Sequence, residues 1–300
     1  MFLKAFLAVL AFSAPACLAR KSPCLIPTTN HTTPSTSTVF QLNQNNTWFE
    51  NIVVQPNGHL LATRLGVPEL WLINPGSNNS AGSGRPLYIF PNASSVLGIA
   101  HVERDTCLVI AGNSGPSTSR TPAPLAHPLV RIPEATFLDG IARLNKDTFL
   151  IADAVQGEIW RLNITTGEYL TELSNSALLR ASSSDTNIGV NGLKVQRDYD
   201  AVQTGPTEIV ASGLTLDDFY LAPDGLAYLA TNSENRLFRV SPEGRVQLVV
   251  WGLNELTVAG LTAVARSRDE RTLYVTTNGG ISSPVSCALV EPAKIVAVSI

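Results

Sequence analysis

The sequence predicts an all-β fold, a six-bladed β-propeller with an N-terminal strand closing the last blade, and three observations carry that expectation. A unit of short apolar strands recurs six times, its first strands beginning near residues 52, 97, 139, 189, 217 and 258. The turns QPNGH, LNKDT, APDGL and SRDERT fall at the same place in their units, and Asn-Gly and Asp-Gly are hairpin signals because both residues accept positive φ. Outside the N-terminal leader, no window of about 11–18 residues carries helical periodicity. Self-similarity of this kind points to a repeat architecture, and radially repeated four-stranded units make a propeller. Two packed sandwiches are the competing arrangement, which the regular spacing disfavours.

The elements follow in order. Lys4, the apolar run AFLAVLAF and the small residues of SAPACLA read as a secretory signal over residues 1–19, too short to span a bilayer. An uncleaved anchor is the alternative. Residues 20–37, rich in Ser, Thr and Pro without periodicity, read as a linker, and residues 38–300 as a single propeller domain. TVFQL at 38–42 is an isolated strand, and pairing it with KIVAVSI at 294–300 removes an open edge. Residues 139–172, with GIARL, TFLIAD, GEIWRL and EYLTEL, make one complete blade. Units two and four are short: few residues separate NGLKV from EIVAS, and no clear third strand lies between Ile110 and Val130. Either these blades are reduced or coding sequence is missing.

Composition narrows the function. Hydrophobic residues make up 44%, charged residues 15%, and the net charge is −3, which suits a buried core and excludes an electrostatic nucleic-acid footprint. No second long apolar run predicts a membrane span. Five sequons, at Asn30, Asn45, Asn78, Asn92 and Asn163, agree with a secretory route and glycosylation. Cleavage of the leader leaves Cys24, Cys107 and Cys287, so at most one internal disulfide can form. No GxSxG elbow or phosphate-binding glycine loop occurs, and Asn278-Gly279-Gly280 reads as a hairpin turn.

The stretches WFENIVVQPNGHLLAT, FLDGIARLNKDTFLIAD, GVNGLKV, and DDFYLAPDGLAYLAT with LTAVARSRDERTLYVTT carry a resemblance to the senescence-marker-protein/gluconolactonase family of six-bladed propellers. The resemblance covers most of residues 38–300. It implies a divalent metal, Ca²⁺ or another hard cation, held by Glu50, Asn191 and Asp217. Asp217 is preferred over Asp218 because it stands seven residues before Asp224 of the PDG turn, as the family pattern requires. Two positions depart from the family: Leu138 stands where it has Asn, and Asp218 where it has Gly. WFENI, PELWLINP, PEATFLDGIARL and GVNGLKV resemble more closely a secreted fungal subset. That subset includes hetero-Diels–Alderases, which join a tropolone-derived quinone methide to a humulene-type terpene.

The resemblance thus implies hydrophobic small-molecule substrates and a cycloaddition needing no cofactor. Such a reaction needs a near-attack pose, an acid to assist loss of water and hydrogen-bond donors to polarise a carbonyl. Candidates lie on the innermost strands: Glu50 and Asn51, His101, Asp139, Asn191, Asp217 and Asp218, and Thr262. Glu50, His101, Asp139, Asp217 and Asp218 are the candidate acids; Asn51, Asn191, Thr262 and Phe219 are candidate substrate contacts. Trp48, Phe49 and Tyr220 either line a funnel with Phe219 or pack between blades, and Trp71 and Trp160 read as core. The alternatives are a metal-dependent lactonase or esterase, and a non-catalytic secreted ligand binder.

Overall fold

The computed structural model describes residues 34–76, 82–113, 126–174, 188–196, 209–251 and 255–300. The leader and most of the linker lie outside the described residues, as do Asn30 and Asn78. The described residues are all-β apart from a short 3-10 turn at Leu256–Val258. No helix among the described residues is long and apolar enough to cross a membrane.

Blade one is built from β2 (Phe49–Val54), β3 (Leu60–Arg64), β4 (Glu69–Asn74) and β5 (Ser83–Ile89). A two-stranded sheet follows, β6 (Ser95–Glu103) with β7 (Thr106–Gly112). The next blade contains β8 (Leu138–Arg143), β9 (Thr148–Asp153), β10 (Glu158–Asn163) and β11 (Tyr169–Ser174). After it come β12 (Leu216–Leu221), β13 (Ala227–Thr231), β14 (Arg236–Val240) and β15 (Val246–Trp251). The last blade holds β16 (Leu261–Arg266), β17 (Thr272–Thr277) and β18 (Lys294–Ser299), completed by β1 (Thr36–Gln41) in the order β1-β18-β17-β16.

The described residues thus form a propeller with four four-stranded blades rather than the six that the spacing predicts. The two units read as short account for the difference. The second unit retains β6 and β7, and the described residues of the fourth, 188–196, carry no assigned strand. The closing strand forms, beginning at Thr36 rather than residue 38, and pairs antiparallel with β18 from Thr36↔Val298 to Gln41↔Lys294. β1 thereby covers the outer edge of β18 and becomes the outermost strand of that blade.

The inner strands β12, β16, β2, β6 and β8 pack side by side in that order, and residues 188–196 stand between β8 and β12. Several of the junctions are layers of apolar side chains. Phe49, Ile52, Leu60, Ala263 and Ile295 join the last blade to the first, with Phe40 and Trp71 against them. Leu97 and Ile110 meet Ile141, Phe149 and Trp160 between β6–β7 and the β8 blade. Val190 and Leu193 bury against Ala142, Leu150 and Ala152, so residues 188–196 cover the far face of that blade. Interblade burial of this kind is what alternating apolar positions on short strands provide.

Every inner strand carries the same irregularity. The register jumps at Phe49/Ile52, Val96/Ile99, Leu138/Ile141, Leu216/Phe219 and Leu261/Val264, and in each case two inner residues oppose one on the partner strand. This is a β-bulge, which re-aims side chains and sharpens the local twist. In sequence it is a tetrad: apolar, two variable residues, apolar. Val190-Asn191-Gly192-Leu193 has the same form.

Candidate functional site

The bulges gather most of the predicted site residues. Their first positions hold Glu50, Leu97, Asp139, Asp217 and Thr262, with Asn191 in the matching tetrad; their second positions hold Asn51, Gly98, Gly140, Asp218 and Ala263, with Gly192. The glycines allow neighbouring backbones to close up. A Cβ on Gly98 would lie 2.2 Å from the Asp139 carbonyl oxygen, and one on Gly140 2.2 Å from the Asn191 carbonyl oxygen. One on Gly192 would lie 2.4 Å from Asp218 Oδ1. The Asp218 carboxylate therefore occupies the space that Gly192 leaves empty.

Polar contacts knit the cluster. Lys194 Nζ donates to both oxygens of Asp218, at 2.6 and 2.7 Å, and Asn51 Nδ2 reaches the same carboxylate at 2.9 Å. The last contact joins β2 to β12, which are not neighbours in the ring. Asp217 accepts from Asn191 Nδ2 at 3.0 Å and from Asn232 Nδ2 at 2.7 Å. Asn278 Nδ2 in turn donates to Asn232 Oδ1 at 3.0 Å, so a line of amides runs from the turn after β17 to Asp217. Glu50 Oε2 is buried and has no hydrogen-bond partner among the described residues.

Four carboxyl groups, 3–6% exposed, thus share one end of the axis with one lysine. Burial and then the charges of Asp217 and Asp139, with a smaller push from Asp218, hold the Glu50 carboxyl well above its usual range, against the neighbouring Trp48 indole, which lowers it. Asp217 rises well above its range through burial and Asp139, against the amide bonds from Asn232 and Asn191. Burial and the Asp218 charge push Asp139 up to about 7, with Lys194 opposing. Like charges in a dry setting cannot all ionise, so the cluster stores protons at neutral pH or takes up a cation. The donor types of Glu50, Asn191 and Asp217 suit a hard cation. Asn191, however, turns its amide nitrogen to Asp217, and among the described residues no three His, Cys, Asp or Glu side chains group closely enough to hold a metal.

His101 and Phe219 lie away from the cluster, and Thr262 stays in the bulge ring but turns its hydroxyl to a blade junction. His101 sits four residues beyond Leu97 on β6, about 13 Å farther along the strand at ~3.3 Å per residue, and its Nε2 meets the Val54 carbonyl at the opposite end of β2. Leu97 is the second unit's residue at the acid ring. Thr262 is fully buried and donates to the Phe49 carbonyl at 2.6 Å, fastening the last blade to the first. Phe219 is buried in its own blade's core with Leu229 and Phe238, although Lys194 Nζ lies 5.5 Å from its ring centroid. Phe49 is likewise interblade core, Tyr220 lies tilted beside Tyr228 with ring centroids 6.3 Å apart, and Trp48 is half-buried. Trp160 is core of the β8 blade, and Trp71 is partly buried against the Phe49–Ile295 core of blade one.

Lys194, Asn232 and Asn278 escaped the sequence reading. The tetrad pattern held the signal for Lys194, a lone cation just after VNGL; the turn-like setting of Asn278 concealed its reach. Solvent approaches the cluster at Asn191 and Lys194, both half-buried. Surface grooves of 560 and 420 Å³ lie away from the acids, one beside Arg104 and Arg143, the other beside Arg161 and Tyr169. Asn45 and Asn92 are exposed in turns, while Asn163 accepts from the Thr165 and Thr166 backbone.

No protein-family model matches the chain. It is similar to a curated protein of Phoma sp. described as "Putative hetero-Diels-Alderase", 29% identical over 83% of this chain and 88% of that protein. Among solved structures, an auxiliary nutrient binding protein from Bacteroides thetaiotaomicron aligns with TM-score 0.51 and 11% identity, over 88% of this chain and 76% of that one. The PQQ domain of a Coprinopsis cinerea pyranose dehydrogenase aligns with TM-score 0.47 and 10% identity, over 88% and 95%. At these identities the structural likeness speaks to fold alone.

Proposed function

We propose that the chain is an enzyme that catalyses a hetero-Diels–Alder cycloaddition between hydrophobic partners at the acid-lined end of its axis. The observation that carries the reading is the set of Glu50, Asp139 and Asp217, buried carboxyls whose environment favours the protonated form near neutral pH. A similar protein named for this reaction supports the same class. One such carboxyl protonates the leaving hydroxyl, the C–O bond breaks and water departs. The conjugate base, held by nearby amides and Lys194, takes the proton of the tropolone hydroxyl, leaving the neutral quinone methide and the carboxyl restored. Lys194 Nζ and Asn191 Nδ2, on the solvent-facing side, polarise the diene carbonyl. Holding both partners in a near-attack pose supplies the remainder, since proximity alone is worth up to about 7–11 kcal/mol. The proposed substrates are a tropolone-derived quinone methide and a humulene-type terpene, and the reaction itself needs no cofactor.

The pH dependence tests this assignment. With the acid form required, turnover falls as pH rises through about 7, the value to which Asp139 is pushed. Asp139→Asn moves or removes that inflection. A rate that climbs with pH across this range overturns the acid role.

A second reading is a metal-dependent lactonase or esterase, favoured by the excess of buried negative charge at Glu50, Asp139, Asp217 and Asp218. Glu50, Asn191 and Asp217 would hold the ion, which would polarise a carbonyl or activate water. Metal analysis and Ca²⁺-dependent melting decide it: an ion lost together with hydrolysis in Asp217→Asn supports the hydrolase, and no bound ion with no melting shift removes it. We also propose that residues 188–196 stand as the inner strand of a reduced fourth blade, giving six blades in all. The leader and sequons support a secreted glycoprotein, in which the exposed Asn45 and Asn92 are the sites best placed for glycans.

A further inference from the structure

Cys107 stands on β7 directly opposite His101 of β6, at the end of the inner strands remote from the acids. Its Sγ lies 3.6 Å from His101 Nδ1 and 3.5 Å from Gln55 Nε2. On the other edge of the imidazole, Nε2 is 3.1 Å from the Val54 carbonyl oxygen. A carbonyl only accepts, so Nε2 carries the hydrogen and Nδ1 of the neutral ring presents its lone pair to the thiol. Nucleophile, base and orienting group are thus in line, drawn from β7, β6 and β2, and the Gln55 amide adds a donor beside the sulfur.

The surroundings keep the pair neutral. Burial lowers the His101 pKa, against the Val54 hydrogen bond, and Arg268 from the turn after β16 lowers it further. Burial pushes the Cys107 thiol up, with the Gln55 bond opposing. Other charged or titratable groups near this end are Arg143 of β8, which donates to the Val102 carbonyl, Glu103, and His59 in the β2–β3 turn. A thiol beside a neutral imidazole reacts by general-base assistance rather than as a standing thiolate. Cys107 also borders an apolar cluster of Leu61, Leu70 and Ile99 with Leu87 and Phe90. That wall favours an uncharged reagent over an anion.

We propose that Cys107, with His101 as its base, is a covalent-modification site for small uncharged α,β-unsaturated carbonyl compounds. His101 Nδ1 takes the thiol proton as sulfur bonds to the β-carbon. The C=C electron pair shifts towards the carbonyl oxygen, and the proton passes from Nδ1 to the α-carbon, leaving a saturated thioether. No oxidant or second reagent is consumed. The site shares no residue with the acid cluster, so it stands apart from the proposed cycloaddition.

The test uses the full chain, N-ethylmaleimide as the uncharged acceptor, and site-resolved mass spectrometry between about pH 6 and 9. Because the His101 pKa lies below its ordinary value, base assistance keeps the Cys107 rate nearly level across this range, while the rate at the exposed Cys287 climbs with pH. His101→Gln lowers the Cys107 rate by about tenfold or more and leaves Cys287 unchanged. Gln55→Ala, which retains the imidazole–Val54 bond, lowers it by about two- to tenfold. Circular dichroism of both variants confirms that the fold is intact. A Cys107 rate that tracks Cys287 across the pH range and is unchanged in His101→Gln overturns the proposal, as does failure of Cys107 to react at all.

Discussion

Gly192→Ala should damage the site through a single methyl group. The added Cβ would stand 2.4 Å from Asp218 Oδ1, 2.9 Å from Asp218 Cα and 3.1 Å from the Asp217 carbonyl oxygen. Ordinary carbon contacts begin near ~3.5 Å, and two of these three atoms are backbone, so rotating the carboxylate does not relieve the clash. β12 or residues 188–196 must shift, and Asp218 must leave the place where Lys194 and Asn51 meet it. Overpacking of this sort costs about 1–3 kcal/mol. At about 2–4 °C per kcal/mol for a domain of this size, the melting temperature falls by roughly 2–12 °C. Gly112→Ala is the internal control, because nothing lies within 4 Å of its Cβ. Thermal unfolding followed by circular dichroism measures both. Equal melting temperatures for Gly192→Ala and Gly112→Ala would refute the close approach of residues 188–196 to β12 on which the site rests.

Three further outcomes follow from the same geometry. The folded-state pKa values of Glu50, Asp139 and Asp217 are raised, so their contribution to stability is fully present below about pH 4, the unfolded value, and is lost as pH rises through the folded values, about 7 for Asp139. Chemical denaturation between pH 5 and 8 should show stability falling by up to ~1.4 kcal/mol per pH unit per proton, less steeply in Asp139→Asn; a rise over that range contradicts the protonated cluster. Lys194→Met leaves the buried Asp218 carboxylate without its cation and should cost about 2–4 kcal/mol; adding Asp218→Asn should recover much of that, and a fully additive double variant would show that the pair is not coupled. Truncation to residue 33 should leave melting unchanged, whereas truncation to residue 41 removes β1, exposes the β18 edge and should lower melting sharply or cause aggregation; equal behaviour would refute closure through β1.

The fold was legible where local signals repeat. The Asn57-Gly58 and Asp224-Gly225 turns and the alternating strands around them mark blades one and five, and both form where the sequence places them. Residues 139–172 form the complete blade expected of them. The second and fourth units were harder to read because much of each consists of loop-like residues without alternation, and no strand is assigned in residues 188–196. In the site, Glu50, Asp139, Asn191, Asp217 and Asp218 were readable as inner-strand polar residues. His101 was misplaced because a strand's two ends look alike in sequence; the bulge register, which sets Leu97 at the acid ring, is a tertiary property. The sequence does not show where Thr262 and Phe219 turn their side chains: Thr262, in the bulge ring, bonds a backbone carbonyl across a blade junction, and Phe219 falls on the buried side of the bulge. Lys194 required knowing that Gly192 leaves room for the carboxylate that it pairs with.

The central claim is that the acid-lined end of this propeller performs a cycloaddition. Its most direct test is to generate a tropolonic quinone methide in the presence of a humulene-type terpene, with and without the purified protein, and to resolve the products by chiral chromatography. The account predicts faster adduct formation with a single stereoisomer dominant, and a loss of both rate and selectivity in Asp217→Asn with Glu50→Gln. The same rate and the same isomer mixture with and without the protein would contradict it.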